Sequence, residues 1–128
     1  MIFSNIIIRS GWVNGGGALI ESYDTNNIDF GLYVRDCVNY AIVNGDYSGG
    51  LIGRVYLSGL SGSILFENCF NYGTINGVKT GGIVGYSYGY HRSVYEGNFT
   101  NCINYGTLNG DYAHTLYAVS EQNGGGTN

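Results

Sequence analysis

The chain has 128 residues, of which 44% are apolar and 11% charged, with 23 Gly, 13 Tyr, 3 Cys, no Pro and a net charge of −4. That length suits one domain with its own core, and a sparsely charged, acidic chain offers no basic surface to nucleic acid or anionic lipid. No apolar run nears the ~20 residues of a membrane-spanning helix, and the N-terminus lacks the basic and apolar regions of a signal peptide, so neither membrane insertion nor a signal peptide is expected.

In chain order, one phrase returns four times. A degenerate copy runs from Ile7 to Gly15, with Ile7 in the place that cysteine takes elsewhere and Gly11, Val13, Asn14 and Gly15 in register. Fuller copies run from Cys37 to Gly45, from Cys69 to Gly77 and from Cys102 to Gly110, the cysteines 32 and 33 residues apart. A fixed period of this length marks a repeat array in which each unit buries its apolar face against its neighbours. The chain reads as one repeat domain over 1–128: a degenerate copy at 1–15, full copies centred on 37–53, 69–85 and 102–118, and a Gly-rich tail at 122–128.

A second signature follows each phrase. It is Gly16-Gly17-Ala18-Leu19-Ile20 in the first repeat, Gly49-Gly50-Leu51-Ile52 in the second and Gly81-Gly82-Ile83-Val84 in the third, with His114-Thr115-Leu116-Tyr117 in that place at the end. Many glycines without proline indicate tight turns between short strands, so the class is all-β. Three segments per repeat are predicted: the Gly-Gly stretch, the stretch running into the cysteine (Asn98 to Ile103 in the last repeat), and the Thr-Leu or Thr-Ile stretch before Asn-Gly. Asn-Gly supplies a positive-φ corner but also suits a two-residue hairpin. Three turns per repeat favour a coil, because equivalent repeats in a meander need an even number of strands. The expected fold is a parallel β-solenoid of about four coils with a period of 32–33 residues.

Stacked coils place equivalent residues in columns. Asn39, Asn71 and Asn104 would form an amide ladder, Tyr40, Tyr72 and Tyr105 an aromatic stack, and Val13, Val43, Ile75 and Leu108 an aliphatic column. Cys37, Cys69 and Cys102 would also align; the strand spacing of ~4.8 Å permits a disulfide, but a buried row of free thiols is favoured over a disulfide or a metal site. No CxxC pair suggests zinc. The variable stretches are Glu21 to Tyr33, Arg54 to Ile64 and Tyr86 to Gly97. In the last of these, Tyr86, Tyr88 and Tyr90 alternate, which on a strand puts three rings on one face; with His91 and Arg92 they are a candidate carbohydrate platform, set against the alternative that they cover the insert's own small core.

Gly-Gly-Ile-Val-Gly, a linker, and then Asn-Cys-x-Asn-Tyr-Gly-Thr-x-Asn-Gly resemble the GLUG-motif repeats of bacterial surface and secreted proteins, including adhesin-like and IgA-peptidase-like chains. The resemblance is strongest from Cys37 to Gly110. It implies a right-handed coil, an extracellular or cell-surface setting and a role as stalk or recognition module. It departs in the Tyr-rich insert and at His114-Thr115, where the glycine pair is lost.

Catalysis is not expected. Asp46 and Asp111 hold the same repeat position two coils apart, about 9–10 Å at the strand spacing, near the carboxylate separation of inverting glycosidases. Each follows Asn-Gly, where Asp is a good turn residue. His91 and His114 stand alone, no cofactor or metal is implied, and the Thr74 and Thr107 column is broken by Trp12 and Ile42, which excludes a regular threonine face. The sequon at Asn98-Phe99-Thr100 lies beside the core phrase and is expected to stay unmodified. From Thr115 to Ile7 of a following copy is 20 residues, matching the internal spacing of 19 or 20. Head-to-tail self-association is therefore the expected partnership.

Overall fold

The computed structural model describes residues 1–24, 31–56, 64–88 and 98–119. Among these residues sixteen short strands form four parallel sheets, and each coil contributes one strand to each sheet. The first sheet holds β1 (Ile2–Ser4), β5 (Leu32–Arg35), β9 (Ile64–Glu67) and β13 (Phe99–Thr100); the second holds β2 (Ile7–Ile8), β6 (Val38–Asn39), β10 (Phe70–Asn71) and β14 (Ile103–Asn104). The third holds β3 (Trp12–Asn14), β7 (Ile42–Asn44), β11 (Ile75–Asn76) and β15 (Leu108–Asn109), and the fourth β4 (Ile20–Asp24), β8 (Ile52–Tyr56), β12 (Val84–Tyr88) and β16 (Tyr117–Val119). The chain is a parallel β-solenoid of about four coils, as the period requires.

The coil has four sides, not the three read from the turn signals. The stretch running into each cysteine is two strands, bent at Asn5, Asp36, Asn68 and Asn101, whose φ values are 57°, 54°, 52° and 50°. Asn and Asp tolerate this left-handed conformation better than other side chains, so a corner was hidden inside an apparently continuous strand. A further left-handed corner falls at Tyr47, Lys79 and Tyr112 (φ 60°, 56° and 57°), where no composition signal marks it. In each Asn-Gly pair the Asn ends a strand and the Gly turns, with φ of 83° at Gly15, 131° at Gly45, 153° at Gly77 and 128° at Gly110. Parallel pairing of every neighbour rules out the hairpin alternative.

Two register assignments in the first coil also change. Ile7 pairs with Val38 and Ile8 with Asn39, so Ile6, one residue earlier, holds the cysteine place. Trp12 nevertheless pairs with Ile42, so the first coil spends one more residue, Arg9-Ser10, where the second has Tyr40. Likewise Gly17 pairs with Gly49, which pairs with Gly81, which pairs with His114. The first-coil equivalent of the second glycine is thus Ala18.

Inward side chains alternate with outward ones along each strand. Leu32, Val34, Val43, Leu51, Ile52, Val55, Ile64, Phe66, Ile75, Ile83 and Val84 are at most 1% exposed, each contributing on the order of 1.5–3 kcal/mol by burial. All belong to the two central coils or to strands facing them. Their counterparts Phe3, Ile6, Ile8, Leu19 and Ile20 at one end, and Phe99, Cys102 and Leu116 at the other, are only partly buried. Phe66 and Phe99 stack at 4.8 Å, and Tyr117, at the fourth-sheet position where other coils carry Ile or Val, continues that stack at 5.1 Å. Tyr117 therefore closes the ring column at its last coil.

The corner between the second and third sheets has no room for a side chain at its glycines. A Cβ on Gly73 would meet the Ala41 carbonyl oxygen, and one on Gly106 the Gly73 carbonyl oxygen. Ala41 holds the same place in the second coil, next to Gly11 of the first. Gly73→Ala should lower stability by about 1–3 kcal/mol, the usual cost of overpacking. Ala41→Gly should cost no more than about 1 kcal/mol. Urea denaturation of the two variants checks this, and equal losses would contradict the register.

Candidate functional site

The ladder corner is built from buried asparagines. Asn71 Nδ2 donates to Asn104 Oδ1 at 2.7 Å and to the Gly73 carbonyl at 3.0 Å, while its Oδ1 accepts from Asn39 Nδ2 at 2.8 Å and from the Gly73 amide at 3.2 Å. Asn39 and Asn71 are fully buried, and Asn71 makes four hydrogen bonds, two within its own coil and one to each neighbour. Satisfied in this way, a buried amide escapes the desolvation cost it would otherwise carry.

Two more ladders flank it. Asn101 Nδ2 donates to Asn68 Oδ1 at 2.7 Å and Asn68 Nδ2 to Asp36 Oδ1 at 3.0 Å; Asn109 Nδ2 donates to Asn76 Oδ1 at 2.9 Å and Asn76 Nδ2 to Asn44 Oδ1 at 2.8 Å. Sequence reasoning makes Asn44, Asn76 and Asn109 turn formers and places Asn101 in the segment running into the cysteine. Their recurrence just before each cysteine and each turning glycine was the signal available.

The tyrosine stack forms as expected. Tyr40 and Tyr72 lie 5.0 Å apart at 10°, and Tyr72 and Tyr105 4.9 Å apart at 15°. All three point outward, between 46% and 57% exposed. The thiols of Cys37, Cys69 and Cys102 are free and in one column. Cys37 Sγ donates to the Arg35 carbonyl at 3.2 Å, Cys69 Sγ to the Val34 and Glu67 carbonyls at 3.4 Å each, and Cys102 Sγ to the Thr100 carbonyl at 3.4 Å. Hydrogen bonding to Cys102 and Cys37, together with burial, pushes the Cys69 thiol up. The bond to Cys69 pulls Cys102 down, and pulls Cys37 down to about 7.

The tyrosine-rich stretch is brought together only in part. Tyr86 is half-buried on the outside of the fourth sheet, its ring edge-on to Tyr47 at 4.9 Å and 64°. The Arg54 guanidinium lies 5.5 Å from the Tyr47 ring, and the ladder sets Arg54 opposite Tyr86 and Tyr56 opposite Tyr88. Tyr47 and Arg54 are additions that spacing alone did not suggest, because they come from another coil. The Tyr88 side chain and the whole of Tyr90, His91 and Arg92 lie outside the described residues.

Elsewhere the acids serve the frame. Asp46 Oδ1 accepts the Val78 amide at 2.8 Å, bridging one coil to the next. Asn98 of the sequon donates Nδ2 to the Ile64 carbonyl at 2.8 Å. Among the described residues no cluster of three or more His, Cys, Asp or Glu could hold a metal ion.

No family model, no curated protein and no solved structure matches this chain.

The cysteine column yields a prediction. Cys37 and Cys69 have no exposed surface, whereas Cys102 in the outer coil is half-buried. Thiolate is the reactive form, and the pull from Cys69 favours it at Cys102. Iodoacetamide at pH 8 should label Cys102 first in the folded protein and all three thiols in denaturant, as read by peptide mass spectrometry. Equal labelling of the three in the folded state would contradict the buried column.

Proposed function

We propose that this chain is a structural repeat module of an extracellular or surface protein, continued end to end by further coils into a stalk or filament. The resemblance to GLUG-type repeats supplies the setting. The physical support is the state of the two ends. Among the described residues the strands β1 to β3 and β13 to β15 have a sheet partner on one side only, and unpaired parallel edges template further strands.

The observation that carries the reading is the match between those ends. Two amide ladders end at Asn101 and Asn109 on one side, and the equivalent places in the first coil hold Asn5 and Asn14. A following coil in the same register would donate Asn5 Nδ2 to Asn101 Oδ1 and Asn14 Nδ2 to Asn109 Oδ1, repeating the bonds already made inside the chain. The half-buried Ile6, Ile8 and Cys102 would be covered in the same step. Since Tyr117 already closes the ring column over Phe99, growth would rest on backbone edges and amide ladders more than on the aromatic core. A head-to-tail contact of this kind does not close on itself and gives open chains.

In the first coil the Met1 carbonyl accepts from Tyr33 and the Asn5 amide donates to Arg35, so alternate residues face the second coil and the Ser4 N–H faces away. Ser4→Pro removes that donor at an edge position where proline is tolerated. The wild type should gain mass steadily with concentration in light scattering, and Ser4→Pro should stop the growth while keeping its β circular dichroism. A wild type that stays a compact monomer at high concentration would refute end-to-end continuation between copies.

A glycan-binding role is the second reading, favoured by the Tyr47, Arg54 and Tyr86 cluster on one outer face. Aromatic rings beside a guanidinium suit sugar recognition. If it holds, Arg54→Ala and Tyr86→Ala should each weaken retention on a glycan array at least tenfold; unchanged retention, or none in the wild type, removes this reading.

A further inference from the structure

The outer face of the second and third sheets carries a strip that nothing within the chain accounts for. Ile7 and Ile103 begin and end one outward column, Tyr40, Tyr72 and Tyr105 form the next, and Trp12 heads the third. These six side chains are 38% to 78% exposed. At the ~200 Å² typical of large side chains they present roughly 600 Å² of apolar surface. That is at the upper limit of what a monomer shows and approaches the ~800 Å² per partner of a standard protein interface. The strip is bounded on either side by an amide ladder, Asp36–Asn68–Asn101 and Asn44–Asn76–Asn109.

We propose that this strip is the interface of a face-to-face dimer, two copies packed antiparallel about a two-fold axis. Three features select a second copy over other occupants. The strip runs along the outside of the corner between the second and third sheets and repeats at the ring spacing of 4.9–5.0 Å, so an identical strip matches its period by construction. It carries no charge along its middle, so two chains of net charge −4 meet there without like-charge contact. A flanking cation, Arg9, follows Ile8 at the first-coil end, where the Tyr40 amide bonds the Ile8 carbonyl. An antiparallel arrangement brings Arg9 of each copy to the opposite end of the other strip, where Tyr105 has only its inner face covered by Tyr72; a guanidinium over that open face is a favourable contact. A sugar chain fits less well, because the facing surfaces of the stacked rings are taken by one another and along the strip only ring edges are offered, with a free face left just at the end rings. The dimer does not depend on end-to-end growth, since a single solenoid displays the whole strip.

The two modes of association separate in one experiment. Sedimentation of Ser4→Pro, whose free edge is blocked but whose strip is intact, should give a closed dimer that does not grow further with concentration. Adding Phe70→Lys and Tyr72→Lys, both in the middle of the strip, should weaken dimerisation at least tenfold and leave a monomer with unchanged β circular dichroism. Should that variant lose its fold, Thr107→Arg, at an exposed position of the third column, places charge in the strip without removing any stacked ring and should give the same monomer. A Ser4→Pro protein that is monomeric at the highest concentration, or a dimer that survives the charged variants, would overturn the proposal. Failure of end-to-end growth alone would show instead as a wild type that stops at the dimer.

Discussion

The fold depends on one buried corner, where the chain passes from the second sheet to the third. There Asn71 turns the backbone by bonding both the amide and the carbonyl of Gly73, and uses what remains of its side chain to bond the coils on either side. In the third and fourth coils the arrangement requires a glycine two residues later, because a carbonyl of the preceding coil lies where a Cβ would be; only the second coil, where Asn39 bonds Ala41 in the same way, admits a side chain there. Asparagine and glycine are thus one device: the first satisfies the corner and the second admits it to the stack. Tyr72, between them, is left pointing outward, and its ring stacks because its neighbours face the same constraint.

Much of this was legible in the sequence, because a residue that recurs every 32 or 33 positions in a parallel stack must sit above itself. The asparagine, tyrosine, cysteine and aliphatic columns follow from that alone. Corners do not. Asn68 and Asn101 looked like members of a strand, and only their left-handed φ values reveal that the coil bends there and has four sides. The first coil misled for a different reason: Arg9-Ser10 adds a residue between two strands whose pairing is unchanged, so counting back from Gly15 puts the cysteine place one residue late.

The candidate site was less legible than the frame. Along β12 Tyr86 faces out and Ser87 is buried, but which residues surround Tyr86 depends on the neighbouring coil, and Tyr47 and Arg54 lie more than thirty positions away in sequence. The apolar strip escaped notice for a related reason. Its members need only be apolar and outward, so Ile7, Val38, Phe70 and Ile103 share no identity that a repeat would display.

This contrast separates two kinds of column. Inward amide ladders and glycine corners specify register, since sliding one coil by a residue would leave buried amides unpaired at about 1–3 kcal/mol each and turn core side chains to solvent. The outward apolar columns contribute little to register, because a slip costs them no hydrogen bond and their side chains stay half in water. Trp12, 78% exposed, could be polar without any effect on the coil beneath it. Surface of that kind, running along two columns with Trp12 heading a third, on a chain whose frame is already determined by its ladders, has its physical use in contact with another molecule.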